Sequence, residues 1–223
     1  MTQIYSLAER LVNNMTAPLK VILDKSVDAI TYQQDTNIEK LETINPDGID
    51  KPEFKKMERY HPPTNMFFSY VHFLSDPTKV HDKIYLGSAY NASCWYTLKK
   101  YNIKYVVNVT VEISNYYESS GITYYRIPIR DDNNESIQNY FNESYGKIEE
   151  FLNNNDGIDG NILVHCYMGA SRSATIVAGY IAKKENKDVS EVIEYLTKIR
   201  PIVNPTQQFV KDLVVELTVW FAV

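Results

Sequence analysis

The chain has 223 residues, 44% of them hydrophobic, and a formal net charge of −5. This length and apolar content suffice for one well-buried domain and a smaller appendage. Basic and acidic side chains are evenly mixed, so there is no basic stripe to bind nucleic acid, and no apolar run reaches the roughly 20 residues of a membrane span. We therefore expect neither a nucleic-acid partner nor a membrane partner.

The first 78 residues carry two amphipathic helical patterns and then a polar stretch. Thr16 and Pro18 supply a cap and a first-turn proline for the second helix. The apolar positions of the two patterns are Ile4, Leu7, Leu11, Val12, Leu19, Ile22, Leu23 and Ile30. The stretch from Lys51 to Pro63 is polar and proline-containing, as linkers are. We expect residues 1–78 to be a helical extension and linker that packs on the rest of the chain or forms a homodimer, with substrate docking as the alternative.

From residue 79 onward, strand-like runs alternate with helical patterns. The clearest strand is the short apolar run from Asn161 to Cys166. Apolar residues at helical spacing predict two helices, at Ile137, Tyr140, Phe141, Ile148, Phe151 and Leu152, and at Val189, Val192, Ile193, Leu196 and Ile199. A core-facing terminal helix is predicted from Leu213 to Val223. This alternation predicts an α/β domain, with a central, mostly parallel sheet of about four to five strands flanked by helices on both faces.

The nine residues from His165 to Ser173 join the predicted strand to a helix that begins near Ser171. A cysteine, five residues and an arginine, with Gly169 in between, allow successive backbone N–H groups to point at one oxyanion. The positive end of the helix and Arg172 favour a thiolate on Cys166, which makes that residue a candidate nucleophile. Arg172 also offers a planar, charged fork for two phosphate oxygens. The alternative is a core cysteine at the end of a buried strand.

The pattern His-Cys-x-x-Gly-x-Ser-Arg-Ser resembles the signature loop of the dual-specificity branch of the cysteine-based protein phosphatases. The resemblance covers roughly Val80 to Val223 and not the whole chain. Further segments resemble that family in the same order: Asp82 to Ala92, Ile103 to Thr110, Tyr124 to Asp131, and Arg200 to Pro205 with Phe209. The resemblance implies the cysteine-phosphatase fold and a catalytic domain over residues 79–223.

The resemblance also implies a general acid at Asp131, in the register Ile-Pro-Ile-x-Asp. Attack by Cys166 on a phosphoester expels a poor leaving group, so a carboxylic acid must protonate the leaving oxygen, and its carboxylate can later activate water. Asp132 is the adjacent alternative. Either carboxylate could instead be a solvated loop residue or the cap of the next helix, and the two roles could be divided between them.

Other residues of the loop have supporting roles under the same resemblance. Backbone groups of Tyr167, Met168, Gly169, Ala170 and Ser171 are expected to bind phosphate together with Arg172. The Ser173 hydroxyl can return into the loop and donate a hydrogen bond to the sulfur of Cys166, which the resemblance implies helps the cysteine leave; the alternative is a helical serine that bonds its own backbone. His165 faces away from Cys166 along the strand and is expected to order the loop rather than act as a base.

The segment from Tyr167 to Ser171 contains no lysine or arginine, whereas lipid-phosphate relatives generally place basic residues there. We therefore expect a phosphorylated protein as substrate, and the resemblance implies phosphotyrosine and phosphoserine or phosphothreonine. One alternative is the same fold acting on a phosphorylated RNA 5′ end, a carbohydrate or a lipid. Another is a phosphopeptide-binding pseudophosphatase without turnover.

Cysteine and histidine are too sparse in the chain to predict a metal centre. Cys94 and Cys166 are far apart, and the four histidines show no paired ligand spacing. We expect no metal and no cofactor. Low cysteine use and the lack of an N-terminal apolar signal stretch favour the cytoplasm, with the nucleus as an alternative.

Overall fold

Five short strands form one sheet in the order β1-β2-β5-β3-β4. The computed structural model describes residues 66–132, 135–153 and 159–221. The strands are β1 (Thr78–His81), β2 (Ile84–Gly87), β3 (Ile103–Asn108), β4 (Thr123–Arg126) and β5 (Asn161–His165). The β1–β2 pair is antiparallel and the other three pairs are parallel. The prediction of a mostly parallel sheet of four to five strands is therefore confirmed.

Helices cover both faces of this sheet, as the sequence predicts. They are α1 (Met66–Leu74), α2 (Ala89–Ser93), α3 (Trp95–Lys100), α4 (Phe141–Leu152), α5 (Arg172–Glu185), α6 (Val189–Ile199) and α7 (Gln207–Phe221). Two 3₁₀ turns lie at Glu118–Ser120 and Gln138–Tyr140. No helix within the described ranges is both long and apolar enough to cross a membrane.

The central strand β5 divides the core because its successive side chains point to opposite faces. Ile162 and Val164 belong to a large cluster that includes residues of α4, α5, α6 and α7. Leu163 belongs to a smaller cluster with Leu98 of α3 and Val106 of β3. A strand that is buried on both faces has no polar alternation, which explains why this segment is an unbroken apolar run.

The register of the parallel strands sets the position of the site. Gly87 of β2 and Asn108 of β3 both pair with His165 of β5, so three strands end at the same edge of the sheet. Loops that leave the carboxyl ends of parallel strands meet at such an edge, where α/β proteins bind ligands. The loop that follows His165 therefore starts between two other strand ends.

Three details of the predicted elements need correction. Helix α7 begins at Gln207, six residues before the predicted start at Leu213. Strand β5 ends at His165 rather than at Cys166, whose sulfur already belongs to the loop. In α6, four of the five predicted apolar positions are buried, but Ile199 is 37% exposed. The helix ends at Ile199, and the next residue, Arg200, takes the inward position that the spacing assigned to Ile199.

Helix α1 lies N-terminal to residue 79, within the segment assigned to the extension. Its Phe73 carbonyl accepts a hydrogen bond from Ser88 Oγ at 2.7 Å, and Asn91 Nδ2 donates to the carbonyl of Ser75 at 2.8 Å. This helix is thus tied to α2 and to the start of the loop after β2. The division at residues 78 and 79 stays a prediction, and the predicted N-terminal helices, linker and dimer contact lie outside the described residues.

Candidate active site

The loop between β5 and α5 is built so that its N–H groups face inward. The carbonyls of four successive residues accept hydrogen bonds from outside the loop. They are Tyr167 (from Ala89 N, 2.9 Å), Met168 (from Arg200 Nη2, 3.1 Å), Gly169 (from Arg200 Nε, 2.9 Å) and Ala170 (from Asn204 N, 2.9 Å). Because the carbonyls are held outward, backbone N–H groups of the loop can line its concave side, as the Gly169 N–H does towards Cys166.

Cys166 lies at the bottom of this loop and is 1% exposed. Two hydrogen-bond donors converge on its sulfur: the Gly169 N–H at 3.3 Å and the Ser173 hydroxyl at 3.2 Å. The sulfur also lies close to the N-terminus of α5, whose N-cap is Ser171. Both donors and the helix end stabilise negative charge on the sulfur.

Only glycine fits at position 169. Its φ is +71°, in the left-handed region that side chains disfavour. A Cβ there would lie 2.5 Å from the Gly87 carbonyl oxygen and 2.7 Å from Arg200 Nη2. The left-handed turn is what directs the Gly169 N–H at the sulfur while its carbonyl faces Arg200.

Arg200 holds the loop from behind, a role that sequence reasoning missed. Besides the two loop carbonyls, its Nη1 donates to Thr78 Oγ1 at 3.3 Å. Burial lowers the pKa of Arg200 to about 10, against an opposing effect of charge on Cys166, so the side chain remains a cation at neutral pH. A buried cation on the outer side of the loop adds to the positive potential at the sulfur.

Arg172 is fixed by a second residue that the sequence did not single out, Glu112. The Glu112 carboxylate accepts from both terminal nitrogens of Arg172, at 3.0 Å and 2.8 Å, which is a bidentate pair. Arg172 Nη1 also donates to the Ile129 carbonyl at 3.0 Å. Burial alone would lower the pKa of Arg172, but negative charge on Cys166, Glu112 and Asp131 raises it, so the guanidinium stays charged.

The loop that carries Glu112 is itself held by hydrogen bonds from β3 and β4. Asn108 Nδ2 donates to the Ile113 carbonyl at 2.8 Å, and the Ile113 N–H donates to Thr110 Oγ1 at 3.0 Å. Arg126 donates to the carbonyls of Thr110 and Val111, at 3.1 Å and 2.7 Å. The carboxylate that orients Arg172 is therefore supported on a fixed backbone.

Asp131 and Asp132 have different surroundings. Asp131 accepts a hydrogen bond from Ser171 Oγ at 2.7 Å, and its other oxygen lies 3.7 Å from Arg172 Nε. Asp132 instead accepts from the backbone N–H of Glu135 at 2.9 Å. Ser171 lacks a side-chain capping bond to α5 because its hydroxyl is directed to Asp131.

The pKa of Asp131 is raised above the ordinary aspartate value. Burial is the largest cause, and the charges of Glu112 and Asp132 add to it, while Arg172 and the Ser171 hydroxyl act in the opposite direction. A raised pKa extends the pH range over which this carboxyl carries a proton. A partly buried carboxyl with this property is suited to acid catalysis.

Ser136 and Ile137, a few residues after Asp131, are anchored on α7. Asp212 accepts from Ser136 Oγ at 2.8 Å and from the Ile137 N–H at 2.9 Å. Gln208, one turn earlier on α7, donates to the other oxygen of Asp212 at 2.7 Å. Ser136 and Ile137 are thus tied to α7.

His165 is fully buried beside the loop. Its Nδ1 lies 3.1 Å from the carbonyl oxygen of Cys166, so this nitrogen carries the proton. Burial lowers the pKa of His165 to about 4, and the imidazole is neutral at physiological pH. This contact fixes the backbone where the chain leaves β5. The ring of His165 contacts the backbone of Cys166 and not its sulfur.

Within the loop, the side chain of Tyr167 packs against α1. The ring of Tyr167 is 6% exposed and stacks on Phe73 of α1 with ring centroids 5.9 Å apart. Helix α1 therefore covers one flank of the loop.

Across the described ranges, no group of three His, Cys, Asp or Glu side chains lies close enough to hold a metal ion.

The description "Dual specificity phosphatase, catalytic domain" belongs to a family profile that matches residues 84–216. This match covers more than half of the chain, and its five-stranded sheet resembles solved structures of the same family. The chain belongs to the dual specificity phosphatase family, as the resemblance in the sequence implies.

Three relatives illustrate the extent of the similarity. Protein phosphatase Slingshot of Drosophila melanogaster is 30% identical over 137 residues, which are 61% of this chain and 13% of that protein. Human dual specificity protein phosphatase 9 is 31% identical over 140 residues, 62% of this chain and 35% of that protein. The crystal structure of DUSP15 has a TM-score of 0.58 at 31% identity and covers 66% of this chain and 88% of that one. The matched region is about a third or less of the two curated relatives.

The position of Arg200 leads to a test. Replacing Arg200 with alanine leaves the carbonyls of Met168 and Gly169 without their donors, which we expect to lower the free energy of unfolding by about 1–3 kcal/mol. We also expect kcat for an aryl phosphate to fall by about tenfold or more, because the Gly169 N–H loses its fixed direction. Arg200→Lys keeps a cation with donors and should recover part of kcat. Steady-state kinetics and urea unfolding measure both effects, and an alanine variant with wild-type kcat would contradict this role.

Proposed function

We propose that the chain hydrolyses phosphotyrosine, phosphoserine and phosphothreonine in proteins through a phosphocysteine intermediate on Cys166. One observation supports this proposal most strongly: Gly169 N–H and the Ser173 hydroxyl contact the same sulfur, beside Arg172 and Asp131. A core cysteine needs none of these partners. A module that only binds phosphopeptides has no use for a protonated carboxyl at this position.

In the first step, the Cys166 thiolate attacks the phosphorus atom and the bond to the leaving oxygen breaks. Inward N–H groups of the loop and the guanidinium of Arg172 hold the three non-bridging oxygens and stabilise the charge on them. Asp131 gives its proton to the leaving oxygen, so the departing group is a neutral alcohol or phenol. The products of this step are phosphocysteine and the Asp131 carboxylate.

In the second step, water attacks the phosphocysteine. The Asp131 carboxylate accepts a proton from the water, and the sulfur of Cys166 leaves as a thiolate. The Ser173 hydroxyl, at 3.2 Å, donates a hydrogen bond to the negative charge that returns to the sulfur. Inorganic phosphate is released, and Asp131 is again protonated.

The neutral loop interior supports a protein substrate. The residues from Tyr167 to Ser171 supply no cation to the loop, so a substrate with several phosphates finds only Arg172 among the side chains of the loop. The matched relatives are described as protein phosphatases. RNA ends, carbohydrates and lipids are therefore less well supported as substrates than phosphoproteins.

We also propose that the chain acts in the cytoplasm, with the nucleus as an alternative. Both of its cysteines are free in the structure, and the mechanism requires a reduced Cys166. A reducing compartment keeps such a thiolate active.

The leaving group tests the proposed chemistry. Asp131→Asn removes the proton donor, and we expect kcat/KM for phosphotyrosine and phosphoserine peptides to fall by about 10²–10⁴-fold. The loss for an activated aryl phosphate should be much smaller, because its leaving group needs little protonation. Cys166→Ser should abolish turnover of every substrate. Initial rates on the two substrate types measure this.

Asp132→Asn is the matched control, because asparagine can still accept from the Glu135 N–H. We expect this variant to retain most of its peptide activity. Selective loss of peptide cleavage in Asp132→Asn instead would assign the acid to the neighbouring residue. Substantial turnover by Cys166→Ser would exclude a covalent mechanism.

The raised pKa of Asp131 predicts a pH effect. Since the protonated carboxyl is the active form, kcat/KM for peptides should fall on the alkaline side as Asp131 loses its proton, at a pH above the ordinary aspartate range. Asp131→Asn should lack this alkaline limb. Asp132→Asn removes a negative charge that raises the pKa of Asp131. The alkaline limb of the Asp132→Asn profile should therefore move to lower pH. A pH–rate profile in which Asp131→Asn retains the wild-type alkaline limb would contradict the assignment.

A further inference from the structure

A row of exposed apolar side chains continues from the loop that carries Glu112. We call Val111, Tyr116, Tyr117 and Trp95 the aromatic strip. Val111, Tyr116 and Trp95 are 40%, 38% and 37% exposed. The ring centroids of Tyr116 and Tyr117 are 6.2 Å apart, and those of Tyr117 and Trp95 are 5.0 Å apart. The three rings therefore form one contiguous surface.

The aromatic strip is held in place by hydrogen bonds to three surrounding elements. Tyr117 Oη donates to the Ser93 carbonyl at 2.6 Å, and the Tyr117 N–H donates to Tyr124 Oη at 3.2 Å. Asn108 Nδ2 donates to Asn115 Oδ1 at 3.0 Å, next to Tyr116. Rings that are already fixed lose little conformational entropy when they bind a partner.

The strip is continuous with the catalytic centre. Val111 precedes Glu112, the residue that accepts from both terminal nitrogens of Arg172. The same short loop continues to Tyr116 and Tyr117, and the Arg126 guanidinium fixes the backbone of Val111 at the beginning of the loop. The positions of Val111, Tyr116 and Tyr117 relative to Arg172 are thus set by one hydrogen-bonded segment, and Trp95 of α3 adjoins it through its contact with Tyr117.

We propose that the aromatic strip binds an apolar or aromatic side chain of the protein substrate, a few residues from the phosphorylated one. This inference rests on the proposed phosphatase function and names a feature of its substrates. When Arg172 holds the phosphate, the flanking chain must cross the surface around the loop, and each extended residue advances it by about 3.3–3.6 Å. Tyrosine and tryptophan offer large, rigid contact area for such a chain.

Other exposed apolar side chains lack this arrangement. They are Val71 on α1, Tyr96 on α3, Tyr195 and Ile199 on α6, and Val215 and Val219 on α7. Isolated apolar residues on a surface are common and need no ligand. Among the residues that the structure describes, only the strip joins ring contacts to the loop that carries Glu112.

The experiment compares phosphopeptides with a small aryl phosphate. Peptides carry one leucine or phenylalanine at varied positions, up to about five residues before or after the phosphoresidue, in an otherwise glycine and serine background. We expect an apolar residue at one register to raise kcat/KM about tenfold, from the burial of one side chain. Tyr116→Ser and Trp95→Ser should remove this gain by raising KM with little change in kcat. Val215→Ser on α7 is the control.

The aryl phosphate separates the two proposals. We expect the strip variants to hydrolyse it with wild-type kcat/KM, because it does not reach the strip. If the wild-type protein hydrolyses neither substrate type, the proposed phosphatase function fails. If peptides are cleaved at rates that ignore the apolar position and the strip substitutions, the docking proposal is overturned and the phosphatase function stands. Equal losses on both substrate types would likewise overturn it, because the strip would then act only through Glu112.

Discussion

A buried negative charge is costly unless hydrogen-bond donors and positive charge meet it, and the architecture of this site follows from that constraint. The sulfur of Cys166 is met by Gly169 N–H and the Ser173 hydroxyl on the inner side of the loop. On the outer side, the Arg200 guanidinium donates hydrogen bonds to two of the loop carbonyls. The inward direction of the N–H groups is thus maintained by residues that never touch a substrate. The left-handed turn at Gly169 is where the two sides meet.

Arg172 interacts electrostatically with Cys166 and also with Asp131, the proposed acid. Arg172 lies between two carboxylates with different tasks: Glu112 holds its terminal nitrogens, and Asp131 lies 3.7 Å from Nε. The negative charge of Glu112 opposes the effect of Arg172 on Asp131, so Arg172 stabilises the Asp131 anion less strongly. The pKa of Asp131 therefore remains raised by burial. Glu112, which positions Arg172, therefore also favours the protonated form of Asp131, the proposed acid. Arg172 thus interacts electrostatically with Cys166 and with both carboxylates.

Local patterns in the sequence predict much of the fold and part of the site. The apolar run of β5 and the small residues of α5 are local, and the spacing from Cys166 to Ser173 already brings their side chains together. Glu112 and Arg200 could not be found in this way, since they contact the loop from 60 and 31 residues away in sequence. Their only signals were a glutamate between Val111 and Ile113, shortly after β3, and an arginine before a proline. The exposure of Ile199 has the same origin, because a helix periodicity does not reveal that the next residue, Arg200, turns inward.

Direct detection of the phosphocysteine is the sharpest measurement for this account. Ser173→Ala should slow the release of the sulfur more than its attack, so the intermediate should accumulate during turnover of an aryl phosphate. Rapid acid quenching followed by peptide mass spectrometry should then find one phosphoryl group on the peptide that contains Cys166, with a matching burst of the phenol product. A phosphoryl group on another residue, or a burst without any phosphorylated peptide, would contradict the covalent role of Cys166.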